Sequence, residues 1–187
     1  ELDEEYATVV VVRAEPEYYT QARDVTDVEI LAEDARVYSA DDELAWVHGP
    51  VKVTNQVVSY QRKELASGRV IDEQPLDLSA RELFTQAVWF TAPSDAFIAA
   101  GLTTDRLPGA LHAAEHAMIG MMPLVASNDR WDIGGVSLVL HPDTEAPTVF
   151  VYDGHPGGVG FATRGFSHAT TWITATRQAI LDCACQD

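Results

Sequence analysis

Cysteine, basic residues and long apolar runs are all scarce in this chain of 187 residues. Its two cysteines, Cys183 and Cys185, cannot form a disulfide framework, and this usage is typical of an intracellular protein. The 12 Lys and Arg stand against 29 Asp and Glu, and the net charge of −17 opposes long-range attraction to nucleic acid or anionic lipid. No apolar run reaches the roughly 18 residues that a membrane span needs, and the acidic N-terminus has no secretory signal. These absences predict a cytoplasmic protein without a membrane partner.

The first 92 residues have the patterns of β-strands, with β-branched or alternating apolar residues at 6–13, 26–38, 51–60 and 81–90. The run YATVVVVR, residues 6–13, has polar flanks and predicts a buried strand. Ser67 and Gly68 form a turn signal, which predicts a hairpin with Arg62 and Lys63 near its tip. We therefore predict a β-rich subdomain over residues 1–92, either a small barrel or a curled sheet.

The second half of the chain mixes helices and short strands. After a connection at residues 93–107, Pro108 suits the first turn of a helix that runs to about Met122 and stops at Pro123. Two short buried strands and a second helix are predicted at 135–140, 147–152 and about 167–181. The fold class is therefore α+β, with a mixed α/β subdomain and two main helices over residues 108–187.

A His112-x-x-Glu115-His116 motif lies on the first of these helices. The two histidines are one turn apart and share a helix face, so both imidazoles could bind one metal ion, with Glu115 as a general base. This hypothesis describes a zinc-dependent hydrolase, whose third ligand would come from Asp132, His141, Asp143 or His155. The alternative is a packed helix with two histidines at its edge, because short motif matches also arise by chance.

A glycine-rich loop, DGHPGGVG at residues 153–160, follows a predicted strand. Its backbone could form an anion nest that binds a phosphate or a nucleotide. Alternatively, its glycines supply the positive φ angles of a tight strand-to-helix connection. The loop is not a Walker A motif, because no Gly-Lys-Ser/Thr follows it.

One group of basic residues is notable and lies around the predicted hairpin. Lys52, Arg62, Lys63 and Arg69, together with Tyr60, could contact a phosphate backbone and stack a base. The alternative is a solvated strand edge whose charges discourage pairing with another strand.

Longer blocks of sequence resemble a known family. The blocks LHAAEHAMIGMMPL, DRWDIGGVS, LHPDTEAPTVFVYDGHPGGVGFATRGF and LDCAC resemble the C-terminal module of superfamily-two DEAD/DEAH-box DNA repair helicases of the mitomycin-repair-factor (MrfA-like) type. Upstream, PEYYTQARDVTDVEIL and VKVTNQVVSYQRKELASGRVIDEQPLDL look like the segment that precedes this module. The resemblance therefore covers nearly the whole chain.

The resemblance implies a non-catalytic accessory domain that follows the two motor domains of an ATP-dependent helicase in DNA repair. The implied partners are those motor domains and single-stranded DNA, while ATP and magnesium belong to the motor domains. In the family the module ends in a zinc site of the pattern Cys-x-Cys followed by Cys-x-x-Cys. Cys183 and Cys185 match the first pair, and the chain stops at Asp187. We therefore expect zinc in the full-length protein and an empty half-site here, with no catalytic metal at His112, Glu115 and His116.

Overall fold

The computed structural model describes residues 2–3, 5–11, 13, 15–40 and 43–183. In chain order its strands are β1 (Leu2–Asp3), β2 (Thr8–Val9), β3 (Tyr18–Ile30), β4 (Ala35–Tyr38), β5 (Ala45–Glu64), β6 (Val70–Pro75), β7 (Arg81–Thr91), β8 (Ile133–His141) and β9 (Ala146–Asp153). Its helices are α1 (Ser94–Ala99), α2 (Leu107–Met121), α3 (Phe161–Ser167) and α4 (Ala169–Leu181). The regular elements described before residue 92 are all strands. The predicted α+β class, β-rich in its first half, is therefore confirmed.

One compact unit comprises residues 1–25 and 56–80. Within it, β1 pairs antiparallel with β2, and the last part of β5 pairs antiparallel with β6. The predicted hairpin is therefore confirmed. Strand β5 continues to Glu64, so that Arg62 and Lys63 lie inside the strand at a register shift, just before the turn. Gly68 in that turn has a φ of 69°, in the left-handed region that glycine adopts without steric cost.

The predicted buried strand at residues 6–13 is wrong in both length and burial. Of its described residues, only Thr8–Val9 are in a strand, and Val9, Val10 and Val11 are 61%, 58% and 81% exposed. Val12 lies outside the described residues. A β-branched run favours extended backbone, but burial needs a facing surface, and β2 pairs over two residues with β1.

The second compact unit comprises residues 26–55 and 81–187. Its sheet has the strand order β3-β5-β7-β9-β8, with β4 paired to β5. The path from β3 to β8 is open within the described residues. Side chains link its two edges, because the imidazole of His141 donates to the Val28 carbonyl at 2.8 Å and the Asp143 carboxylate accepts from the Ile30 backbone N–H at 2.9 Å. Of the two predicted forms, the sheet is curled rather than closed into a barrel.

Both faces of the central strands β7 and β9 are buried, because successive side chains of a strand point to opposite faces. Val88 belongs to a cluster with residues of α2 and α4, whereas Trp89 and Phe150 belong to a cluster on the other face. Trp172 of α4 is fully buried and donates its indole N–H to the Met118 carbonyl of α2 at 2.8 Å. Helix α2 thereby packs against α4 on one side and against β8 and β9 on the other.

The predicted helix at 108–122 is confirmed, because α2 carries Pro108 in its first turn and ends at Met121. The predicted helix at about 167–181 is interrupted at its start. Helix α3 ends at Ser167 and α4 begins at Ala169, with His168 between them at φ −117° and ψ 21°. In the described part of the chain, no helix has the length and apolar character needed to cross a membrane.

Candidate functional site

Helix α2 brings His112, Glu115 and His116 together. One potential ligand atom from each of the three side chains lies within 4.8 Å of the other two. The His112 Nδ1 and Glu115 Oε2 atoms are 3.2 Å apart, and the two imidazole rings meet edge to face with centroids 4.4 Å apart. Both histidines are exposed, whereas Glu115 is 5% exposed. The helix thus presents a buried carboxylate with two accessible imidazoles beside it.

Strand β8 holds the Glu115 carboxylate in place. Ser137 of β8 donates its hydroxyl proton to Glu115 Oε2 at 2.7 Å. Gly135 of the same strand lets α2 approach closely, because a Cβ there would lie 3.0 Å from Glu115 Cγ and 2.8 Å from Ile119 Cδ1. Sequence reasoning missed Ser137, since its contact with Glu115 spans 22 residues and depends on how α2 packs on the sheet.

The third ligands predicted for a hydrolase do not join this cluster. Within the described residues, the one group of three or more metal-ligating side chains consists of His112, Glu115 and His116. His141 and Asp143 instead bond to β3, as described above. The described residues therefore offer no further His, Cys, Asp or Glu ligand that would complete a catalytic zinc site of three protein ligands and a base.

The glycine-rich loop binds an anion, and that anion is the chain's own Asp153. This carboxylate is fully buried at the end of β9. Its Oδ2 atom accepts the backbone N–H groups of Val159 and Gly160 at 2.6 and 2.8 Å, and its Oδ1 atom accepts that of Ala162 at 2.7 Å. The donors of the predicted nest are therefore already engaged, which argues against the phosphate or nucleotide hypothesis.

Glycine conformation gives the loop its shape. Gly157, Gly158 and Gly160 have φ angles of 77°, 79° and 98°. Gly158 also has no room for a side chain, because a Cβ there would lie 2.7 Å from Gln86 Cγ. The alternative predicted from the sequence, a tight strand-to-helix connection, describes this loop.

A short capped turn contacts the second residue of the loop, Gly154. In the 3₁₀ turn Arg130–Asp132, the Asp132 carboxylate accepts the backbone N–H of Asp129 at 2.7 Å. The Asp132 carbonyl in turn accepts the Gly154 N–H at 2.7 Å. Trp131, between these anchored residues, is 90% exposed.

The basic residues proposed for DNA contact lie mainly on the β5–β6 hairpin. Arg62 forms a two-bond ion pair with Asp72, in which Nε donates to Oδ1 at 2.7 Å. The hydrogen bond with Asp72 raises the pKa of Arg62, and Arg62 lowers the pKa of Asp72 in return. Lys63 donates to the Gln21 side chain at 2.5 Å, and Tyr60 is half-buried.

The other two cations are also paired with acids. Arg69 is 3.0 Å from Glu64, whose pKa is lowered mainly by its hydrogen bond with Ser67 and further by Arg69. Lys52, in the second unit, is 2.5 Å from Glu29, which raises the pKa of the lysine. Three of the four predicted phosphate-binding cations are therefore already in ion pairs with carboxylates of the same chain.

The Cys-x-Cys pair is described only in part. Cys183 is exposed and follows the last turn of α4, whereas Cys185 lies outside the described residues. Thiolates are suitable zinc ligands, but a structural zinc takes four ligands and the sequence contains two cysteines. An all-cysteine zinc site would thus need two thiolates from outside these 187 residues.

The chain is similar over its whole length to parts of known ATP-dependent helicases. It is 28% identical over 189 residues to the ATP-dependent helicase YprA of Bacillus subtilis (strain 168), covering 100% of this chain and 24% of the helicase. It is 24% identical over 202 residues to the ATP-dependent helicase HRQ1 of Saccharomyces cerevisiae, covering 99% of this chain and 18% of that protein. The chain thus corresponds to a segment, about a quarter or less, of ATP-dependent helicases. This similarity supports the predicted role as a helicase accessory domain.

A domain model and a solved structure support the resemblance to MrfA-type helicases. Residues 114–187 match the MrfA Zn-binding domain. The fold matches a crystal structure of the DUF1998 helicase MrfA bound to DNA, with a TM-score of 0.75 and 26% identity over 100% of this chain and 24% of that one. The predicted resemblance to MrfA-type helicases is therefore confirmed. These relatives give no support to the zinc-hydrolase alternative.

Proposed function

We propose that the chain is an accessory domain of an ATP-dependent DNA repair helicase and that it has no catalytic activity of its own. The observation that carries this proposal is the match of the whole chain, at a TM-score of 0.75, to a helicase structure bound to DNA. The sequence contains no Gly-Lys-Ser/Thr motif for nucleotide phosphates, and its glycine-rich loop binds Asp153 instead. ATP hydrolysis and strand separation would therefore be performed by motor domains outside these residues.

The domain would mainly support the motor domains, and its own contact with single-stranded DNA would be weak. The physical reason is electrostatic, because DNA affinity depends on cations that can displace counterions from phosphates. Here the net charge is −17, and Lys52, Arg62 and Arg69 are each paired with a carboxylate. The cytoplasmic location and the division at residues 92 and 107 remain predictions within this proposal.

Zinc would have a structural role in the longer protein. Cys183 and Cys185 would supply two thiolates, and a second cysteine pair beyond Asp187 would supply the other two. When bound, zinc would link the end of α4 to that following segment. The chemistry required is only the deprotonation of the thiols, which makes zinc affinity dependent on pH.

Fluorescence anisotropy of labelled oligothymidylate of about 20 nucleotides, at a physiological salt concentration of about 150 mM, tests the DNA part of this proposal. We expect a Kd weaker than about 10⁻⁴ M for the native chain at physiological salt, the upper end of the range for non-specific binding. Asp72→Asn removes the partner of Arg62 and should strengthen binding a few-fold, because a cation becomes available. Asp95→Asn is the matched control, since it changes the net charge equally on exposed helix α1.

Two results would contradict the proposal. If the native chain bound DNA with a micromolar Kd and Arg62→Ala abolished that binding, the domain itself would be a DNA-binding domain. ATP hydrolysis by the purified 187-residue chain would show that it is not a purely accessory domain.

A further inference from the structure

We propose that His112, Glu115 and His116 form a binding site for a divalent transition metal ion of the zinc type, separate from the cysteines at the end of the chain. The three side chains project from one face of α2, at positions i, i+3 and i+4. Their potential ligand atoms already lie within 4.8 Å of one another. This inference depends on neither DNA binding nor helicase activity.

The ligand set determines which ions fit. Two imidazoles and one carboxylate suit zinc, copper, nickel or cobalt, whereas magnesium and calcium prefer oxygen ligands alone. Zinc–ligand bonds of about 2.0–2.2 Å place tetrahedral ligand atoms about 3.3 Å apart. The His112 Nδ1 and Glu115 Oε2 atoms are already 3.2 Å apart. His116 is exposed and can complete the set by side-chain rotation, with water in the fourth position.

The charge of the buried carboxylate favours a bound cation. Burial of an ionised carboxylate is costly unless a positive group compensates it. The one ion-pair partner of Glu115 in the described residues is His112, which is positive only when protonated. A divalent ion bound between the two histidines would provide a permanent positive charge at this carboxylate.

The Ser137 hydroxyl supports the same site from the neighbouring strand. Its hydrogen bond of 2.7 Å to Glu115 Oε2 fixes the orientation of the carboxylate. Outer hydrogen bonds of this kind orient metal ligands, and their loss typically reduces metal affinity about 10–100-fold. Buried Glu115 is thus pre-positioned, and only the exposed histidines need to adjust.

Metal titration of a chain carrying Cys183→Ser and Cys185→Ser tests this site without interference from the thiols. We expect this chain to bind one equivalent of Zn²⁺ by calorimetry and one of Co²⁺ by its visible absorption. His116→Ala should then weaken Zn²⁺ binding at least about 10-fold, and Ser137→Ala should weaken it by about 10-fold. His155→Ala is the matched control, because it removes an exposed histidine outside the cluster and should leave binding unchanged.

Circular dichroism melts of the same variants show whether each one remains folded. If His116→Ala does not fold, His112→Ala removes the other exposed histidine of the cluster and takes its place in the test. Absence of saturable Zn²⁺ binding by the cysteine-free chain would overturn the proposal. Equal losses from His116→Ala and His155→Ala would also overturn it, because they would indicate non-specific binding to surface histidines.

Discussion

Replacement of Asp153 by Asn should be among the most damaging single-atom changes in this domain. The native carboxylate is fully buried and accepts three backbone N–H groups from the loop and the first turn of α3. The amide that replaces it has one accepting oxygen and one donating nitrogen. Whichever way the amide is turned, its NH₂ group faces a backbone N–H, and at least one buried donor loses its partner.

The expected magnitude follows from these three bonds. If the amide oxygen takes the place of Oδ2, the bonds from Val159 and Gly160 remain but lose the assistance of the negative charge. The Ala162 N–H is then unsatisfied, which by itself costs about 1–3 kcal/mol. With the weakening of the other two bonds, we expect a loss of about 3 kcal/mol in the free energy of unfolding. For a chain of this length, that loss lowers the Tm by about 6–12 °C.

Thermal and urea unfolding, followed by circular dichroism, measure this loss. The control is Asp95→Asn, an exposed substitution of the same chemistry, which should change stability by less than about 0.5 kcal/mol. A Tm for Asp153→Asn within about 2 °C of the native value would refute the reasoning, because the three bonds would then contribute little.

Two further predictions concern packing and pH. Gly49→Ala should destabilise the chain by about 3 kcal/mol in urea melts, because its Cβ would lie 2.2 Å from the Ala32 carbonyl oxygen. Gly120→Ala, with open space around its Cβ in α2, should instead stabilise it by about 0.5–1 kcal/mol, and equal effects would contradict the packing argument. Burial lowers the pKa of His48, so the unfolded state binds the imidazole proton more tightly than the folded state does. The contribution of neutral His48 to the stability of the folded chain is therefore present above the ordinary pKa of 6.5 and is lost as the pH falls. His48→Gln should therefore lose less stability than the native chain between about pH 7.5 and pH 5.5, and a larger loss would contradict this sign.

The elements with local signals could be predicted from the sequence. Pro108 lies in the first turn of α2 and Pro123 lies two residues after its end. Each proline restricts its own backbone, so the predicted bounds of this helix are close to the observed ones. The run at 6–13 shows the limit of such signals. Its valines are suited to extended structure, but their exposure depends on a facing surface that no local pattern reveals. The break between α3 and α4 at His168 likewise could not be predicted, because no proline or glycine stands at that position.

The candidate site shows the same division. Helical spacing predicts that His112 and His116 are neighbours, because positions i and i+4 share a face. The Ser137 contact with Glu115 required the packing of α2 on β8 and could not be predicted. The role of Asp153 had a visible signal, an acid at the end of a buried strand followed at once by glycines. The sequence alone does not show whether such a nest binds an external anion or the acid inside the same motif.

Trp131 gives this domain an optical reporter at a useful place. Of the four tryptophans in the sequence, Trp89 and Trp172 are fully buried, whereas Trp131 is 90% exposed on the turn whose carbonyl holds Gly154. A soluble collisional quencher should therefore act first on Trp131 in the folded chain. The emission that remains comes mainly from the less accessible indoles, and quenching of Trp89 and Trp172 should appear only as the chain unfolds around them.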